Sequence, residues 1–359
     1  MDVVFWTGCI NFHTINMFNC FGEQNTVIIA YCERSFRGYT DLSVPNCELV
    51  ELSSEDDVAT LVERTKTYIH INNGFKTQPQ HKLIRDALKM LCKRNVLLVS
   101  LFQEQFPYKG FIGFLRQLKW TYIYNWGLGR KHKLIGYCGE KAYISLRKAL
   151  LPKSKLIEFI YTPWYDNRYV VEVNRTVTFV MVGQLVPRKC VLETIGVLKD
   201  LSYNFYFKIV GDGILKNKVL SLIGDDSRFE YLGTLTPADV QKEYLSSDYL
   251  ILSSKFDGWG CSVNEALSQG CRVVVSDNCG SESLVRQNPF LGMVYRTDYW
   301  DEFKAIIEDC IKTGPLTLEQ KHKIIEWSLK ISPSMESEYL TGILMALQGS
   351  TKMPKAPWN

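Results

Sequence analysis

Asp257 and Glu265 stand with seven residues between them in the stretch FDGWGCSVNEALSQGCRVVVSD, Gly258, Trp259, Gly260, Cys261 and Ser262 among these. Glycines strip side chains from a loop and leave backbone amides able to meet an anion, the more so beside the positive end of a helix. A carboxylate next to such a phosphate site can accept both hydroxyls of a ribose in paired hydrogen bonds. Glu265 suits that role, and Asp257 could hold hydroxyls of a sugar on the phosphate. Acids at a helix start are also favourable with the helix dipole when no ligand is involved.

A leaving diphosphate needs cations that neutralise charge as its bond breaks. VGQLVPRKC offers Arg188 and Lys189 a few residues past Gly183 and Gln184. The dipole disfavours cations at a helix start, which argues for a functional reason. Gly211, Asp212 and Gly213 form either a tight turn or the border of a nucleotide site. His70, in YIHINNGF, reads as a strand-end residue suited to acceptor contact or as a structural hydrogen bonder.

These residues need a frame. VTFVMVGQL, FYFKIVGDG, FEYLGTL, DYLILSS, RVVVSD and GMVYRT are apolar runs separated by helical segments, the pattern of a doubly wound parallel sheet. The acids then fall on the loop after DYLILSS and on a helix of about three turns stopped at Gly270. The first half repeats the alternation with DVVFWTG, NTVIIAYCE, YIHINNG, NVLLVSLF and KLIEFIYTP. The expected fold class is α/β, with two Rossmann-like domains facing across a cleft. Their bounds are read as 1–165 and 166–332, with a linker near 161–176 and a helix over 333–359, past the breaker Pro333, that returns to the first domain.

A chain of 359 residues with 46% apolar and 22% charged residues is expected to be globular and of two domains. The acid at position 2 and the absence of a basic n-region argue against a signal peptide, and no apolar run reaches spanning length. A cytoplasmic protein is expected. The 11 cysteines include no C-x-x-C pair and read as buried thiols of a reducing compartment. No metal site is expected, since no histidine falls near a cysteine pair.

The net charge of +4 hides a concentration: from 106 to 155, eleven Lys or Arg accompany one acid, Glu140. Interleaved Phe, Trp and Tyr suit peripheral contact with an anionic membrane, at the inner face of the plasma membrane in a cytoplasmic protein. An ordinary basic helix pair with a solvated face explains the same composition. Nucleic acid finds no supporting motif.

Asp257-x7-Glu265, the G-x-L-x3-K of Gly183 to Lys189, IVGDG, EYLGTL and EALSQGCRVVVSD resemble, in order and spacing, the retaining family 4 glycosyltransferases of the GT-B fold (glycosyl transferases group 1), of the polysaccharide-biosynthesis type. The likeness runs from about Thr178 to Val285 and is looser in GEKAYISLRKALLPKSKLIEFIYTPWYDN. It implies a nucleoside-diphosphate sugar on the carboxyl-terminal domain, an acceptor on the amino-terminal domain, and hexosyl transfer with retention. It implies no cofactor and no metal, with the leaving phosphate taking the acceptor's proton. The family's first acid is usually Glu, where Asp257 is one methylene shorter. Its usual arginine after the first glycine is Gln184, which leaves Arg188 as the candidate to replace that charge.

The favoured reading is a glycosyltransferase acting on a glycan or lipid-linked glycan. A catalytically silent nucleotide-sugar-binding or scaffold relative is the alternative motivated by Gln184 and Asp257. A nicotinamide-dependent dehydrogenase is disfavoured because no G-x-G-x-x-G follows the first strand.

Overall fold

The structure, a computed structural model, describes every residue except Asn11, 34–42, 76–78, 107–109 and 164–172. Much of the expected linker and Lys109 of the basic segment therefore lie outside the described residues. The chain divides into two compact units, one of Met1–Pro163 with Ser332–Pro357 and Asn359, the other of Trp164–Ile331 with Trp358.

The first unit is built on seven parallel strands: β1 (Asp2–Cys9), β2 (Thr26–Glu33), β3 (Glu48–Glu51), β4 (Ile69–Asn73), β5 (Leu98–Gln103), β6 (Leu134–Tyr137) and β7 (Leu156–Glu158). Their order is β3-β2-β1-β4-β5-β6-β7. The connecting helices are α1 (Phe12–Gly22), α2 (Glu55–Arg64), α3 (Lys82–Leu91), α4 (Gly110–Asn125) and α5 (Gly139–Lys148). α2 begins with a capping box, in which the Ser54 hydroxyl accepts from the Asp57 amide and Asp57 Oδ2 accepts from the Ser54 amide at 2.8 Å. Trp6, Phe75, Leu88 and Tyr124 belong to the core on one side of this sheet.

Two of these strands depart from the sequence reading. β3, ELVE, is a four-residue edge strand with no alternation long enough to register. β6, LIGY, lies inside the basic segment, where the sequence suggested helix and no strand. Its glycine is required, because a Cβ on Gly136 would stand 2.8 Å from Phe159 Cβ and 2.9 Å from Leu101 Cδ2.

The second unit carries β8 (Thr178–Val182), β9 (Tyr206–Val210), β10 (Phe229–Gly233), β11 (Tyr249–Leu252), β12 (Arg272–Ser276) and β13 (Gly292–Tyr295), parallel in the order β10-β9-β8-β11-β12-β13. All six fall in the runs read from sequence. The order reverses at β8 and β11, which neighbour each other without being consecutive, and loops after such strands are where open α/β sheets bind ligands. Helices α6 (Val191–Lys199), α7 (Lys216–Ile223), α8 (Pro237–Leu245), α9 (Ser262–Ser268), α10 (Glu282–Gln287), α11 (Trp300–Thr313) and α12 (Leu318–Ser328) complete the unit.

Asp248, fully buried ahead of β11, holds the start of this sheet. Its Oδ2 accepts from the Thr178 amide at 2.9 Å and from Asn174 Nδ2 at 3.0 Å, and its Oδ1 from the Leu316 amide at 3.1 Å. Lys321 of α12 is equally buried, donating to Ser247 O at 2.9 Å with its ammonium 3.9 Å from Asp248. Past α12 the chain rejoins the first unit as α13 (Pro333–Leu347), which packs on α1. Glu336 of α13 is buried and accepts from the Thr162 hydroxyl, and burial pushes its carboxyl up to about 8.

Asp248→Ala leaves the Lys321 ammonium buried without its countercharge and strips two backbone amides of their acceptor. The expected loss is about 3–5 kcal/mol from the second unit, read in calorimetry. Glu308→Ala, which removes only an exposed pair with Lys312, should move the same transition by less than about 0.5 kcal/mol. Similar small shifts for both would remove Asp248 from this role.

Candidate functional site

The carboxyl ends of β8, β9 and β11 carry the residues singled out from sequence, and glycine lets their loops touch. Gly211 has φ +129°, and a Cβ there would stand 1.9 Å from the Gly183 carbonyl oxygen. A Cβ on Gly213 would stand 2.5 Å from Leu185 O. The two loops are joined by Leu185 N donating to Asp212 O at 2.9 Å and Leu215 N donating to Leu185 O at 3.0 Å. Asp212 is exposed, and its Oδ1 accepts from the Gly213 amide at 2.6 Å, closing a tight turn. Gln184 points from the neighbouring loop as an exposed neutral residue.

Arg188 and Lys189 lie on a 3-10 turn, Pro187–Lys189, ahead of α6. Cys190 turns the chain into α6 with a left-handed backbone, φ 55°, a conformation that costs a non-glycine residue energy and needs surrounding structure to hold it. That structure is the end of β11 and its loop. Lys255 N donates to Arg188 O at 2.8 Å, Ser253 Oγ donates to Lys189 O at 3.2 Å, and Arg188 Nη1 donates to Phe256 O at 3.2 Å.

The stitched loops bring Lys189 onto Asp257 in an ion pair, the two side chains 12% and 14% exposed. Arg188 Nη1 is 3.5 Å from the same Asp257 oxygen and nearly half exposed. Two cations thus meet one carboxylate, a surplus of positive charge where Gln184 supplies none. A Cβ built on Gly183 would be 3.9 Å from Lys189 Nζ, so the ammonium rests over that glycine.

Gly260 has φ +92°, and a Cβ would stand 2.7 Å from Leu252 Cδ2 and 3.0 Å from Ser281 Oγ. No carbonyl or side chain among the described residues accepts from the amides of Gly258 or Gly260. The buried Ser281 hydroxyl beside Gly260 also has no partner among them. Unspent donors here, beside a cationic pair, fit the oxygen atoms of an anion. Ser281 was not singled out from sequence.

Other expectations need correction. α9 spans seven residues rather than about three turns, and Val263 to Ser268 are all buried. It begins at Ser262 with Cys261 as its cap residue, both half-buried. Glu265 consequently recedes from the edge: it keeps 7% of its surface exposed and accepts from the Tyr244 hydroxyl at 3.0 Å. Burial raises its carboxyl to about 7, against the Tyr244 hydrogen bond and the Lys189 charge, which lower it. Tyr244, on α8, could not be linked to Glu265 from sequence spacing. Trp259 is 1% exposed with its indole N–H on Asn264 Oδ1 at 2.8 Å, so its side chain anchors the loop from within.

His70 is not a strand-end residue. It is the second residue of β4, 1% exposed, accepting at Nδ1 from the Trp6 indole at 3.1 Å, with Nε2 3.1 Å from Thr65 O. Burial lowers it to about 4. Both nitrogens are spent, which makes it a core residue of the first unit. Among the described residues no cluster of three or more His, Cys, Asp or Glu could hold a metal. No helix among them is long and apolar enough to cross a membrane.

With this geometry in hand, comparison with known proteins is informative. Residues 169–328 match the family model Glycosyl transferases group 1. No curated protein matches the sequence. Anabaena HepE in complex with UDP superposes with a TM-score of 0.74 at 14% identity, over 96% of this chain and 100% of that one. The lipopolysaccharide outer core galactosyltransferase WaaB gives 0.74 at 14% over 97% and 100%, and a glycosyltransferase from Rickettsia africae ESF-5 gives 0.74 at 13% over 98% and 100%. Likeness at such identities establishes the architecture, two Rossmann-like α/β domains of the GT-B kind.

The buried Glu265 makes a pH-dependent prediction. Its carboxyl ionises near 4.5 in the unfolded chain and near 7 when folded, so stability falls as pH rises through that window and stays lower above it. The cost is on the order of 3 kcal/mol above pH 7. Glu265→Gln should therefore raise the Tm of the second unit at pH 8 and hardly change it at pH 4.5. An equal shift at both pH values would show that Glu265 does not ionise in this window.

Proposed function

We propose, from the match of residues 169–328 to the glycosyl transferases group 1 family model, that the chain is a glycosyltransferase moving a hexosyl group from a nucleoside-diphosphate sugar to a glycan or lipid-linked glycan, with retention of configuration. The observation that carries this reading is the Lys189–Asp257 pair with Arg188 alongside, next to unspent amides at Gly258 and Gly260. Lys189 and Arg188 would stabilise the diphosphate as it leaves, a contribution largest where charge develops. The glycine amides and the Ser281 hydroxyl would receive its oxygens. Asp257, held at the edge by Lys189, would accept hydroxyls of the transferred sugar.

Glu265 would accept a ribose hydroxyl through the part of its carboxyl that remains reachable, with Tyr244 fixing its orientation. Gly183, Gly211 and Gly213 let the backbone approach the nucleotide, and Gln184 and Asp212 stand exposed at its margin. Anabaena HepE is described in complex with UDP and with UDP-glucose, which supports a donor of that class here. The surplus cation at Arg188 favours an active enzyme over a silent relative, since it supplies the charge that Gln184 lacks. Neither a cofactor nor a metal is part of the proposal. The acceptor is assigned to the first unit, whose basic segment of 106–155 would meet anionic lipid at the inner face of the plasma membrane.

A thermal-shift panel of nucleoside diphosphates and nucleotide sugars tests the donor. A ligand at one hundred times its Kd should stabilise the fold by about 2.7 kcal/mol, and no stabilisation by any of them would overturn the reading. Lys189→Ala should lower kcat by about 100-fold while changing donor affinity much less. Replacing Arg130, Lys131 and Lys133 by Gln should weaken capture by phosphatidylserine vesicles by about 1 kcal/mol per cation, less at high salt. Unchanged capture would leave that face simply solvated.

A further inference from the structure

The first unit contains a cavity of about 300 Å³ at the carboxyl ends of β1 and β4, walled by α3 and α4. Trp6, Phe75, Ile84, Leu88, Ile123 and Leu128 give it an apolar lining, and Gly8, His81 and Arg85 contribute at its wall. The His81 ring covers Gly8, where a Cβ would stand 2.1 Å from the ring atoms. By liquid volume the space equals roughly ten waters, room for a length of hydrocarbon rather than a packing gap.

Tyr122 lines the cavity yet is 63% exposed, so the apolar wall continues onto the outer face of α4. That face is unusual. Phe111, Phe114, Leu115, Leu118 and Tyr122, at helical spacing, are each about half exposed or more, while Gly113 and Tyr124 on the opposite side are buried. Patches of this kind on a soluble domain mark a binding surface. Arg116 and Lys119 flank the stripe, Arg130 and Lys131 lie on the turn that carries Leu128, and no acid occurs from 110 to 131. Aromatic rings and leucine side chains bordered by cations on one side match an anionic amphiphile better than a second protein surface, which would mix both signs of charge.

We infer that this cavity takes the apolar chain of an amphiphile bearing a phosphate headgroup, with the outer face of α4 seated in the lipid layer from which the chain comes. Resting on the proposed transferase reading, the inference names the acceptor class as lipid-borne: the chain enters past Tyr122, and the headgroup stays near Arg85 and the cations of the α4 region.

The test uses the full chain with dodecyl phosphate below its micelle concentration, inorganic phosphate as control, and phosphatidylserine vesicles. Dodecyl phosphate should raise the Tm saturably and inorganic phosphate should not. Ile123→Trp, which fills the cavity from its partly exposed wall, should weaken dodecyl phosphate binding by at least about tenfold with the ligand-free Tm unchanged. Leu128→Phe replaces it should that variant fail to fold. Leu115→Ser, on the outer stripe, should weaken vesicle capture and leave dodecyl phosphate affinity intact. Binding indifferent to both cavity fillers, or weakened as much by Leu115→Ser, would overturn the inference, as would concentration-dependent self-association that Leu115→Ser abolishes without any amphiphile binding. UDP stabilisation measured in parallel separates the two readings. UDP binding without amphiphile binding sinks the cavity assignment alone, whereas amphiphile binding without any nucleotide effect leaves the cavity and removes the transferase.

Discussion

The ion pair between Lys189 and Asp257 is the constraint on which the second unit's edge depends. Neither partner is far from its own backbone anchor: Lys189 O and Arg188 O are held by the end of β11, and Asp257 bridges to Cys279 through backbone hydrogen bonds with Asn278 and Gly280. The pair therefore ties three loops that come from distant parts of the sequence. Both side chains retain some contact with water, unlike Asp248 and Lys321, which are sealed.

Much of this edge was legible because its chemistry is local. Glycines at 211, 213 and 260 announce close backbone approach, and the structure shows the carbonyls and side chains that a Cβ would strike. The six strands of the second unit could be read from their apolar runs: β8 and β11 are buried nearly throughout, and β9 and β10 keep enough apolar residues around Lys208 and Glu230 to register. β3 escaped because ELVE sets only two half-buried apolar residues between exposed acids, and β6 because it is set among cations that imitate a helical surface.

The errors share a cause: orientation and partners are tertiary. A histidine two residues before a pair of asparagines looks like a strand-end ligand until Trp6, 64 residues earlier, takes its nitrogen. Glu265 was placed at the open edge because helical position says nothing of what packs around a short helix, and α8, α12 and the sheet enclose it. Ser281 and Tyr244 carry no motif. Their relevance arises only once the chain has brought them beside Gly260 and Glu265.

The return of α13 to the first unit gives this protein a timetable. The first unit includes Met1–Pro163 but lacks its covering over α1 until Ser332 and beyond have been made, after the whole of the second unit. At ribosomal speeds of about 5–20 residues per second, that interval lasts roughly 10 to 30 s. For that time the α1 surface and the Thr162 hydroxyl await their partners from α13.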